Sequence, residues 1–155
     1  MRNIRFGRAL VLAIPFVAAG AFSRPAEAQT GGLQYYAVTP CRAVDTRSGN
    51  GGIVQASIFR SFTIKGVCGV PVSAKAVSLN LTIVGPNADG FFSLWPFGGS
   101  FPVIATINFV AGEPAIANGA IVPLAVGTPD LYGGYGTATG AGTTHAVMDV
   151  TGYFQ

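Results

Sequence analysis

His145 and Asp149 are the pair in this sequence whose types fit proton transfer, and they stand four apart in a stretch that alternates apolar and polar residues. In a strand such residues share a face but lie about 13 Å apart at the usual rise per residue. A nucleophile–histidine–carboxylate relay needs contacts near ~3 Å and an exposed, sharply turned nucleophile. No GxSxG run supplies one. Paired carboxylates for glycoside hydrolysis would have to come from Asp45, Asp89, Glu113, Asp130 and Asp149. Asp89, Asp130 and Glu113 sit beside Gly or Pro, where a carboxylate commonly bonds its own turn. No pair stands out, and no catalytic residue is assigned.

Metal chemistry is weakly supported. One His and two cysteines without a CxxC spacing do not make a transition-metal site. Calcium needs only loop oxygens, and Asn50, Asn87 and Asp89 could offer them, but no DxDxDG run organises these residues. Neither a metal nor a cofactor is expected. The densest polar cluster is Arg42, Asp45 and Arg47, next to Cys41. Two guanidiniums could grip an anion through bidentate forks. The alternative is internal pairing that pins the first strand, and with so few other charges this structural role is the expectation.

Aromatic side chains are the remaining candidates. Trp95, Tyr132 and Tyr135 could stack on sugar rings if exposed, as could Tyr35, Tyr36, Phe97 and Tyr153. Alternation from Phe91 sets Ser93 and Trp95 on one face, and the Ser93 neighbour suggests a wet one. Trp95, Tyr132 and Tyr135 are therefore the expected ligand contacts.

The compartment follows from the first residues. Arg2, Arg5 and Arg8 precede an apolar run from Ala9 to Gly20, and Ala26-Glu27-Ala28 has the small-x-small form of a cleavage site. Residues 1–28 read as a cleaved signal peptide and 29–155 as the working domain, secreted and with no transmembrane segment after cleavage. Four of the nine basic residues and one of the six acidic ones fall in that leader, leaving five of each. The sequence pI of about 9.1 thus describes the leader. A neutral domain has no electrostatic footprint for nucleic acid or an anionic membrane. It also repels its own copies weakly. In an oxidising compartment Cys41 and Cys68 read as a disulfide.

Short strands must position all of this. The 22 Gly and 10 Pro are spread along the chain, and no mature segment keeps a helical apolar period. Ala74 to Val84 alternates Val77, Leu79, Leu81 and Ile83 against Ser78, Asn80 and Thr82. With Phe91 to Phe97 it reads as a hairpin over 74–97. Further strands are expected at Gln34–Val38, Arg42–Thr46, Ile58–Ile64, Ile104–Phe109 and Ile121–Val126, with a last one through Ala146, Met148 and Val150. Ser48 to Gly52 reads as a mobile loop using positive φ. Gly127 to Thr143 reads as a long loop or a loosely specified hairpin. The fold class is all-β, a single β-sandwich of jelly-roll or Ig-like type with one disulfide.

Pro40-Cys41-Arg42-Ala43-Val44-Asp45-Thr46-Arg47 and Asp149-Val150-Thr151-Gly152-Tyr153-Phe154 together resemble a family of secreted bacterial domains. These open with a PCRxVDTR motif and close with a DVxGYF motif. Cys68-Gly69-Val70-Pro71, the Ala74–Thr82 strand, Ile107-Asn108-Phe109 and Ile121-Val122-Pro123-Leu124 agree as well, so the resemblance spans about residues 38 to 154. It implies a β-sandwich accessory module, attached to secreted hydrolases or repeated in cell-surface proteins, usually with no assigned activity. The matched positions are mostly structural. Here the module stands alone, which turns the expectation toward a free-standing role. The first reading is a non-catalytic module binding at the cell surface or in the extracellular matrix, with cell-wall or extracellular polysaccharide as the ligand to test. The second is a structural subunit that assembles with itself, for which Leu33 to Val38 could pair with a neighbour's sheet edge. A hydrolytic enzyme is the least favoured.

Overall fold

A computed structural model describes residues 31–155, and the leader expected at 1–28 lies outside them. Gly32–Gln155 forms one unit of nine strands. They are β1 (Tyr35–Asp45), β2 (Val54–Gln55), β3 (Phe59–Phe62), β4 (Ala76–Val84), β5 (Gly90–Pro96), β6 (Ile107–Phe109), β7 (Ala115–Pro123), β8 (Leu131–Gly136) and β9 (Thr143–Phe154). The first sheet runs β1-β9-β4-β7, with β2 continuing the β1 side of β9; the second runs β3-β8-β5-β6. All strand pairs within both sheets are antiparallel. The protein is an all-β sandwich. Among the described residues no helix is long and apolar enough to cross a membrane.

Two strands carry the first sheet. On β4, Val77, Leu79, Leu81 and Ile83 are buried while Ser78, Asn80 and Thr82 are half-buried on the other face. On β9, Ala146, Met148 and Val150 point the same way. Phe62, Phe92, Leu94 and Leu131 of the second sheet meet them across a continuous core. Period-two alternation thus builds one inner face on each sheet.

The expected hairpin over 74–97 does not form. β4 has β9 on one edge and β7 on the other, so no edge is free for β5. The turn after Val84 carries the chain across to the second sheet instead. Alternation reports which face is buried, and it is the same for a hairpin and for a strand–turn–strand that changes sheet. The two segments expected on either side of Pro40-Cys41 merge into one strand, β1, whose register slips between Ala37 and Cys41 and again between Arg42 and Val44. Bulges of this kind let a strand continue past a proline.

The stretch from Gly127 to Thr143 contains β8, the central strand of the second sheet, paired to β3 and β5. Its glycines are places of close approach. A Cβ on Gly133 would lie 2.8 Å from the Phe92 ring and 2.9 Å from the Phe62 ring, and one on Gly134 would lie 3.0 Å from both Phe59 and Trp95. Aromatic rings press close against this backbone, where no side chain fits. The Ser48–Gly52 loop does use positive φ at Asn50, Gly51 and Gly52. The Arg60 guanidinium holds its carbonyls, bonding Gly52 and, at 2.9 Å, Ile53.

Candidate functional site

The polar cluster grows from the pairing of β1 with β9, which sets Arg42 opposite Asp149. Arg42 donates from Nε to Asp149 Oδ1 (2.8 Å) and from Nη2 to Oδ2 (3.1 Å), a bidentate fork. Arg47 grips Asp45 in the same way, Nε to Oδ1 at 2.9 Å and Nη2 to Oδ2 at 2.7 Å. Arg42 also reaches Asp45 at 3.4 Å. Hydrogen bonds from Arg47 hold the Asp45 carboxyl well below the usual carboxylate range, and the bonds that Arg42 donates to Asp149 raise the Arg42 guanidinium. Both guanidinium forks are filled from within. Asp149, the partner that links the cluster to β9, is too distant along the chain for spacing to join it to Arg42; the closing DVTGYF motif is the signal that holds it.

His145 and Asp149 are not brought together. Asp149 bonds Arg42, while His145 Nδ1 lies 3.1 Å from Thr46 Oγ1. The other carboxylates each serve backbone. Buried Asp130 accepts from Ile64 N at 3.0 Å and Lys65 N at 2.9 Å, Asp89 from Ala111 N at 2.7 Å, and Glu113 from Val110 N at 3.5 Å. The proposed calcium oxygens are used likewise: Asn50 Oδ1 accepts from Asp45 N and Asn87 Oδ1 from Thr143 N. Among the described residues no three His, Cys, Asp or Glu side chains gather closely enough to hold a metal. Cys41 and Cys68 are joined as a disulfide, with Cα atoms 5.6 Å apart.

The aromatic candidates need correcting as an exposed platform. Trp95 is 4 % exposed and Tyr135 is 2 % exposed. The segment after β5 folds back over Trp95, setting Phe101 edge-on at 5.3 Å, with Phe59 at 5.0 Å and Tyr132 at 5.4 Å. The indole N–H donates to Gly99 O. Ser93 is buried because its hydroxyl donates to Ile104 O at 2.6 Å. A satisfied hydroxyl is at home inside, so a serine neighbour does not mark a wet face. Tyr135 donates to Ala88 O at 2.7 Å, and burial pushes its phenol pKa up. Tyr132 stays half-buried against Phe97. Among the described residues the aromatics left in solvent are Phe59 and Phe101, stacked at 5.1 Å, and Tyr35 and Tyr36 at the start of β1.

The feature least visible in the sequence is the open side of the sandwich at β7. This strand pairs with β4 in unbroken register from Ala115 to Pro123, and among the described residues no strand pairs with its other edge. Gly85 N donates to Pro114 O and Leu124 N donates to Lys75 O, so Pro114 and Leu124 aim their backbones at β4. In an antiparallel ladder every second residue between them does the same. Ile116, Asn118, Ala120 and Val122 therefore face β4. Ala115, Ala117, Gly119 and Ile121 turn N–H and C=O outward, where they bond no other described residue. A groove of about 440 Å³ separates β7 from the 102–106 segment. Val103, Ile104 and Ile121 stand 99 %, 71 % and 64 % exposed beside it. The expected donor segment, Leu33 to Val38, is not free. Its strand pairs in its own molecule, Tyr35 with Phe154 and Tyr36 with Tyr153, and Gln34 and Gln155 exchange backbone bonds.

No family model, no curated protein and no solved structure matches this chain.

Proposed function

We propose that this chain is an exported, non-catalytic β-sandwich that works by association, as a structural subunit at the cell surface or in the extracellular matrix. The open β7 edge carries this reading. An uncharged strand with unpaired N–H and C=O groups, flanked by exposed Ile104, Ile121 and Val103, is what recruits a further strand. The leader-like residues 1–28 and the Cys41–Cys68 bond support export, because disulfides persist in oxidising compartments. The motif resemblance supports an accessory module of extracellular proteins. The filled guanidinium forks and the buried Trp95 weigh against anion or sugar recognition at those residues.

Protein recovered from the medium, followed by sedimentation velocity over a concentration series, tests the reading. Mass should rise with concentration. A monomer at every concentration, with no retention on the producing cells, would overturn it. Polysaccharide binding remains the second reading, now moved to Tyr35 and Tyr36, which are 49 % and 41 % exposed. Tyr36 spends one ring face on Tyr153, 5.1 Å away. A glycan array with wild type and Tyr35→Ala checks it: binding by wild type that the variant loses supports it, and silence across the array removes it.

A further inference from the structure

We propose that β7 pairs antiparallel with β7 of a second copy about a two-fold axis at Gly119, joining two first sheets into one. The inference rests on the association reading above and names its partner. The outward groups of Ala115, Ala117, Gly119 and Ile121 limit the registers to those that set outward residues opposite one another, and an axis at Gly119 pairs all four. Centred on Gly119, Gly119 meets Gly119 of the second copy and Ala117 meets Ile121 on the outer face, while Ile116 meets Val122 as an apolar pair on the inner face. Pro123 meets Ala115 and contributes only its carbonyl, as suits the end of a ladder.

The charges favour this occupant over an unrelated strand. No charged residue lies between Ala115 and Pro123. Asp89 and Glu113 sit at the N-terminal end of β7, where Asp89 accepts from Ala111 N and Glu113 from Val110 N. Lys75 stands exposed at the other end, where Leu124 N bonds its carbonyl; Lys65 there is buried, with its Nζ bonded to Ala125 O. The buried Asp130 there is engaged by the Ile64 and Lys65 amides. The edge thus runs from acidic to basic. An antiparallel second copy brings each acidic end toward the other's exposed Lys75, while a parallel one would set like against like. An isologous contact of this kind also closes on itself and stops at two.

Gly119 gives a test specific to the axis. A Cβ there meets nothing within 4 Å and its φ is not positive, so a side chain is accommodated in the monomer. Gly119→Lys sets lysine against lysine across the axis, and Gly119→Asp sets aspartate against aspartate. Circular dichroism and Tm confirm that each variant folds. Each alone should weaken self-association about tenfold or more, and an equimolar mixture should restore it. Association of both variants at wild-type strength overturns the β7 axis while leaving the association reading in place. Two monomeric variants whose mixture stays monomeric overturn the two-fold arrangement. A wild type that is monomeric throughout removes the inference together with the reading beneath it.

Discussion

The first sheet has two long edges, and they are guarded differently. β1 carries Pro40, two register slips, Arg42 and a disulfide that ties it to Cys68. Val38 lies against Gly69, about 4.0 Å from where a Cβ there would sit. Prolines, bulges, charges and covering segments are the devices by which sheets avoid adding strands. β7 has few of them: its register is unbroken, its side chains are uncharged, and its one proline, Pro123, stands at its last position. The same sheet is thus closed at one edge and left ready to extend at the other. A difference so one-sided is the reason the proposed association is assigned to β7 rather than to β1.

The largest expected effect breaks the guarded edge. Replacing both Cys41 and Cys68 by Ser opens a loop of 27 residues. The chain-entropy model puts the loss near ~3.5 kcal/mol. Thermal or denaturant unfolding measures it, and hydrogen exchange should speed first along β1 and last along β7. Uniform acceleration along both would mean that the clamp is not local to β1.

Next come two prolines on the unguarded edge. Ala120→Pro removes an N–H that bonds β4 and should cost about 3 kcal/mol or more. Ala117→Pro removes an N–H that faces solvent, and edge strands tolerate proline at such positions. It should leave the monomer's Tm nearly unchanged while abolishing self-association. Equal destabilisation by the two would mean that the outward and inward residues of β7 have been assigned the wrong way round.

How much of this contrast the sequence carried depends on the kind of signal. Val77, Leu79, Leu81 and Ile83 announce β4 because one face is dry and the other wet, and Ala146, Met148 and Val150 do the same for β9. The cysteine pair is legible because two cysteines have one internal pairing. β8 is not legible: Gly133, Gly134 and Gly136 look like loop residues, and only the rings of Phe62, Phe92, Trp95 and Phe91 lying on them explain their place in a central strand. Trp95 is misread for a related reason, since Phe101, six residues further on, covers it. The open edge at β7 escapes because strand order is a property of pairing, and a charge-free strand reads the same at an edge as in the middle. Arg42 and Asp45 are visible as a cluster, but their tie to Asp149 exists only once β1 and β9 lie side by side.

The smallest effect sharpens the comparison through pH. Asp45 is held ionised by hydrogen bonds from Arg47, and its folded pKa lies below its unfolded one. A carboxyl shifted in this direction contributes stability in full above the unfolded value, about 4, and loses it as pH falls from there toward the folded value. The pair is solvent-exposed, so the contribution is modest and screened by salt. Asp45→Asn removes the titrating group. Between pH 6 and pH 2.5 the Tm of wild type should therefore fall more steeply than that of the variant, and the gap should narrow in high salt. Parallel curves would show that Arg47 does not hold Asp45. β7 contains no titratable side chain between Ala115 and Pro123. Amide exchange, corrected for its intrinsic pH dependence, should consequently report loosening of β1 near Asp45 below pH 4 while the β7–β4 ladder keeps its protection.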